Sequence, residues 1–131
     1  MKLHAEVLGS GPPLLIFHGL FGSGTNWRTL AKHVFAKDYE THLVDQRNHG
    51  DSPHDDEFNY QVMGKDILDY IEYTKLNNPV ALGHSMGGKA LMQAAVTQPD
   101  VFKKIIIADI APRAYGGSLR PIIQALESLD L

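Results

Sequence analysis

At 131 residues, with 44% hydrophobic and 21% charged residues, the chain has an ordinary globular composition with room for one modest core, and a single domain over 1–131 is expected. A formal charge of -3, with lysines and arginines scattered along the chain, argues against the basic surfaces that bind nucleic acid or anionic membranes. The absence of cysteine excludes disulfides, thiol nucleophiles and thiolate metal sites, and no apolar run approaches membrane-spanning length, so a soluble cytoplasmic protein is expected.

Lys2 to Leu8 alternates loosely and then meets Gly9, Ser10, Gly11, Pro12 and Pro13, which reads as a strand and a turn. Leu14, Leu15, Ile16 and Phe17 form a second strand, apolar on both faces, that runs into His18, Gly19, Leu20, Phe21 and Gly22. Trp27, Leu30, Ala31, Val34 and Phe35 recur at helical spacing and predict a helix of about three turns whose stripe covers a sheet. Thr41 to Asp45 is a third strand, and Gln46 to Asp56 a polar loop turned by Gly50 and Pro53. Met63, Ile67, Tyr70, Ile71 and Thr74 mark a second helix, ended by Asn77, Asn78 and Pro79. Pro79 to Leu82 is a buried-strand run, Lys89 to Ala95 is rich in helix formers up to Pro99, and Ile105, Ile106, Ile107 and Ala108 make a fifth strand. Leu119, Ile122, Ile123, Leu126 and Leu129 give a strong apolar stripe on a last helix, 118–130, with Pro121 in its first turn. Unbroken apolar strands alternating with helices imply an α/β domain: a mostly parallel five-stranded sheet flanked by helices, with functional loops at the carboxyl ends of the strands.

Gly83, His84, Ser85, Met86 and Gly87 lie between the fourth strand and its helix and fit a nucleophile elbow. A turn that tight leaves room only for small residues two before and two after the serine, and Gly83 and Gly87 supply that room. The competing reading is a glycine-rich helix start, but the strand upstream and the helix downstream favour the elbow. The histidines and carboxylates lack the paired helical spacings of zinc hydrolases, so no metal or other cofactor is expected.

His18-Gly19-Leu20-Phe21-Gly22, Asp45-Gln46-Arg47-Asn48-His49-Gly50-Asp51-Ser52-Pro53, Gly83-His84-Ser85-Met86-Gly87-Gly88-Lys89 and Asp109-Ile110-Ala111-Pro112, in that order, resemble the α/β-hydrolase superfamily, and within it small acyl esterases. The resemblance corresponds to the amino-terminal half of such an enzyme and implies a truncated α/β-hydrolase fold, without the lid and the late loop that bears the catalytic histidine. It implies Ser85 as nucleophile, with the amide of Met86 and that of Leu20 or Phe21 as oxyanion hole. It places Asp109 where some relatives carry the catalytic acid; the alternative is a structural aspartate capping the next turn. His18, His49 and His84 are candidate bases, while His4, His33 and His42 read as surface or satisfied histidines. His54 shares the second loop with His49. Arg47, with Asp45 or Asp51, reads as a loop-fastening charge pair. Trp27, Phe35, Met63 and Tyr70 read as core, and Phe21 and Met86 as residues that could line an acyl pocket.

Family topology orders the strands first, third, second, fourth, fifth, leaving 105–109 at an open edge. That edge, or the apolar stripe of 118–130, predicts a homo-oligomer, a dimer or a dimer of dimers. The expected activity is that of a serine carboxylesterase on small, uncharged, short-chain acyl esters through a Ser85 acyl-enzyme. The alternative is a non-catalytic remnant acting as a binding or interaction module.

Overall fold

In the computed structural model, residues 1–117 and 120–128 are described, and the ends of the expected last helix, 118–119 and 129–130, lie outside them. Five strands, β1 (Ala5–Leu8), β2 (Pro13–Phe17), β3 (Glu40–Val44), β4 (Val80–His84) and β5 (Lys104–Ala108), form one sheet in the order β1-β3-β2-β4-β5. β1 runs antiparallel to β3, and the other pairs are parallel. β1 begins three residues later than the alternation suggested: Leu3 is buried against the core, and the ladder with β3 starts only at Ala5.

The central strand shows why both its faces read as apolar. Leu15 and Phe17 point to one side, packing with Val44, Ala81 and the buried faces of α2 (Tyr60–Thr74) and α3 (Met86–Thr97). Leu14 and Ile16 point to the other, against Leu43 and Ala31. The α2 stripe is the expected one, with Met63, Ile67, Tyr70 and Ile71 all buried. Its amino end is capped by Asn59, whose side chain accepts from the Val62 amide at 3.0 Å, and its carboxyl end by Lys75 in the left-handed conformation.

The opposite face is thinner than expected. The first helix is not three continuous turns but a 3-10 turn at Gly24–Trp27, α1 at Arg28–His33 and a second 3-10 turn at Phe35–Lys37. Ala31 is fully buried while Trp27 and Phe35 are partly covered, and Leu30 and Val34 remain exposed, so only part of that stripe meets the sheet. β5 is one edge of the sheet, with Ile105 37% and Ile106 43% exposed. The last helix, α4, is described over Arg120–Glu127. No helix among the described residues is long and apolar enough to cross a membrane.

Candidate active site

β4 ends at His84 and α3 begins at Met86, so the chain turns within one residue. Ser85 stands there at φ 50° and ψ -116°, a strained conformation for a residue with a side chain. Its neighbours permit the bend: a Cβ on Gly83 would lie 2.6 Å from the Gly87 carbonyl oxygen, and one on Gly87 2.5 Å from that of Phe17. The Ser85 amide donates to the Ala108 carbonyl at 3.0 Å, tying the turn to β5, and its own carbonyl accepts from the Gly88 amide at 2.9 Å as α3 begins. The residue is half-buried at the wall of a cavity of about 550 Å³, shared with Leu20, Met63, Met86 and Ile110.

The loop after β2 runs directly against this turn. A Cβ on Gly19 would lie 3.3 Å from that of Ser85 and 3.0 Å from His84 Nδ1, so glycine allows the close approach. The amides of Leu20 and Met86 donate to no group among the described residues. Phe21 differs. Its amide donates to His49 Nε2 at 3.3 Å, and its exposed ring borders a separate hollow of about 450 Å³ with His18, Trp27, Leu30 and His84. Of the two loop donors anticipated, only that of Leu20 is open.

None of the three candidate bases hydrogen-bonds to Ser85. His18 is buried, its Nε2 accepts from the Gln46 amide at 3.1 Å, and Nδ1–H therefore donates to the Gly19 carbonyl at 2.8 Å. Burial lowers its pKa below the ordinary histidine value. His49 is occupied in the same way, accepting from Phe21 and donating through Nδ1 to the Arg47 carbonyl at 2.9 Å. Both rings fasten the loops that frame the turn. His84 is more open, with Nε2 3.8 Å from Asp109 Oδ2. Of the remaining histidines, His42 is buried between Tyr70 Oη and Glu40, and His4 meets Asp45.

Asp109 follows the last paired residue of β5 as Ser85 follows that of β4, which sets the two side by side at the sheet edge. It has φ 57°, and its side chain is 87% exposed and makes no hydrogen bond among the described residues, so it does not cap the next turn.

Two charge assignments change. Arg47 pairs with neither Asp45 nor Asp51 but with Asp66 of α2, through Nε–Oδ2 at 2.5 Å and Nη2–Oδ1 at 3.0 Å, and it also donates to the Glu57 carbonyl. Those bonds to Asp66 raise the guanidinium pKa. Asp45 instead accepts from the Gly24 amide at 2.6 Å, the Asp51 amide at 3.0 Å and His4 Nδ1 at 3.0 Å. Burial pushes its carboxyl up, but these bonds outweigh that and hold it below the usual carboxylate range.

A model of the α/β-hydrolase fold matches residues 12–123. The chain belongs to the α/β-hydrolase family. It is 42% identical to an sn-1-specific diacylglycerol lipase ABHD11 of Xenopus laevis, over 78% of this chain and 33% of that protein. It is 40% identical to the Esterase YbfF of Escherichia coli, over 79% of this chain and 40% of the other. A solved marine microorganism esterase superposes with a TM-score of 0.92 at 42% identity, covering 99% of this chain and 52% of that one. The chain thus spans about half, or less, of the length of these α/β hydrolases.

The Ser85 cavity of this α/β-hydrolase family member also holds residues that sequence reasoning assigned no role. Lys89, Tyr60 and Tyr115 line it. Lys89 carried a signal: four residues past Ser85, it shares the helix face of the serine. Tyr115 carried none, since the loop that brings it back has no regular period. His4, Asp45 and Asp51 have ligand atoms within 4.8 Å of one another, but the Asp45 carboxylate is already engaged by two amides and His4.

Proposed function

We propose that this chain is a serine esterase that hydrolyses small short-chain acyl esters through a Ser85 acyl-enzyme. The observation that carries the reading is the strained Ser85 turn opening on the same cavity as the unengaged Leu20 and Met86 amides. The Ser85 Oγ attacks the ester carbonyl carbon, and the carbonyl electrons move onto oxygen, where the two amides stabilise them. Collapse of the tetrahedral adduct expels the alcohol, which takes up the proton that Ser85 gave to the base. Water then attacks the acyl-enzyme and releases the acid. Efficient turnover requires an imidazole brought within hydrogen-bond reach of Ser85, with Asp109 as the carboxylate that orients it. The relatives named as esterases and as a lipase support hydrolysis as the reaction class.

Hydrolysis of p-nitrophenyl butyrate, lost in Ser85→Ala, is the expected result, together with loss of fluorophosphonate labelling. An unchanged rate in that variant overturns the proposal. The second reading, a non-catalytic binding module, draws on the missing contact between any described imidazole and Ser85. Wild-type protein that is folded yet refuses the fluorophosphonate would favour it.

The expected homo-oligomer also stands as a proposal: the unpaired β5 edge pairs with the same edge of a second copy. Antiparallel pairing about a two-fold centred on Ile106 would set Lys103 opposite Asp109 of the partner subunit, joining opposite charges at both ends of the new ladder.

A further inference from the structure

The cavity beside Ser85 is walled largely by Leu20, Met63, Met86 and Ile110, yet one cation opens into it. Lys89 Nζ gives one of its three donors to the Arg113 carbonyl at 2.5 Å and lies 4.7 Å from the Tyr115 ring centroid and 5.6 Å from that of Tyr60. No carboxylate among the described residues pairs with it. Arg113 places its guanidinium 5.1 Å from the same Tyr115 ring, outside the cavity lining. Tyr115 itself accepts from the Ala111 amide at 2.9 Å, and that bond chiefly lowers its pKa, with the Arg113 and Lys89 charges adding to the effect. Two aromatic rings flank the Lys89 ammonium, and its two remaining donors are unspent.

We propose that Lys89 is a specificity-determining residue, selecting esters whose acyl chain ends in a carboxylate, that is, half-esters of short dicarboxylic acids. Lys89 follows the serine by four residues and lines the same cavity, so a short acyl chain ending in a carboxylate extends from the attacked carbon toward the ammonium. The carboxylate completes the Lys89 donor set with charge-assisted hydrogen bonds, while the methylenes lie along Met86 and Ile110. The proposal rests on the serine-esterase reading and differs from the uncharged substrates expected from the sequence.

The test compares two esters of matched length. The ratio of kcat/KM for p-nitrophenyl hemiglutarate to that for p-nitrophenyl valerate is measured in wild type, Lys89→Met and Lys89→Arg. The ratio should fall about tenfold or more in Lys89→Met, as loss of a charged hydrogen bond implies, and recover in Lys89→Arg. A ratio that does not change in Lys89→Met overturns the assignment while leaving the esterase reading intact. A binding measurement reads the same preference without turnover. Monomethyl glutarate should bind Ser85→Ala more tightly than dimethyl glutarate, and the added Lys89→Met change should erase that difference. Equal binding of the two esters to Ser85→Ala refutes the proposal even if the chain never hydrolyses an ester.

Discussion

Asp66 sits on the buried face of α2 with its side chain only 3% exposed, and it accepts both prongs of an Arg47 guanidinium that is itself 7% exposed. Such a pair is worth little as net stability, but removing one partner strands the other charge in the interior. Asp66→Ala should therefore cost about 3–5 kcal/mol in urea unfolding, and a loss under about 1 kcal/mol would show that Arg47 finds another acceptor. The Arg47 pairing was misread from the sequence because Asp45 and Asp51 are its neighbours in the chain. Asp66 was legible only as a carboxylate on an apolar stripe, between Met63 and Tyr70. His18 gives a prediction of the opposite character. Its folded pKa lies below the ordinary value of 6.5, so in the range just under 6.5 the unfolded chain binds more protons than the native one. Its contribution is then complete above pH 6.5 and declines as pH falls toward the folded pKa. Urea unfolding at pH 7.5 and 5.5 should show a steeper loss in wild type than in His18→Gln; equal slopes would mean that the ring is not held neutral.

The helices on the two faces of the sheet separate periodicity from burial. The stripes of α1 and α2 look alike in the sequence, each repeating at three- and four-residue steps, but only the α2 stripe is covered along its length. α2 packs beside α3 over one face of the sheet, whereas α1 is a single short helix flanked by 3-10 turns, so Leu30 is left 42% and Val34 49% exposed. The difference comes from tertiary partners that a local pattern cannot contain. Ile67→Ala should accordingly lose about 2–5 kcal/mol, and Leu30→Gln should fall within about 0.5 kcal/mol of wild type. Thermal or urea unfolding of the two variants checks this, and comparable losses would mean that α1 is covered in solution.

At the scale of the whole molecule, the mostly parallel sheet was legible because apolar runs alternate with helices, the strand order came only from the family resemblance, and the glycines around Ser85 mark where the chain must bend. The surroundings of Ser85 were legible in part: the open amides of Leu20 and Met86 lie in motifs that the resemblance picks out, whereas the cationic wall depends on a loop without period. On the β5 side of the sheet, the backbone groups of Lys104–Ala108 that face away from β4 have no strand beside them among the described residues, and Ile105 and Ile106 meet solvent. Unpaired edge groups and exposed isoleucines favour strand addition, and the Lys103 and Asp109 charges at the two ends favour an antiparallel copy over a parallel one. Ile106 stands at the two-fold centre of that pairing, so Ile106→Lys would bring two like charges together while altering a side chain that is already 43% exposed in one subunit. Sedimentation velocity at micromolar concentration should give a dimer or larger species for wild type and a monomer for Ile106→Lys with unchanged circular dichroism. A wild-type monomer under those conditions overturns the edge-paired assembly.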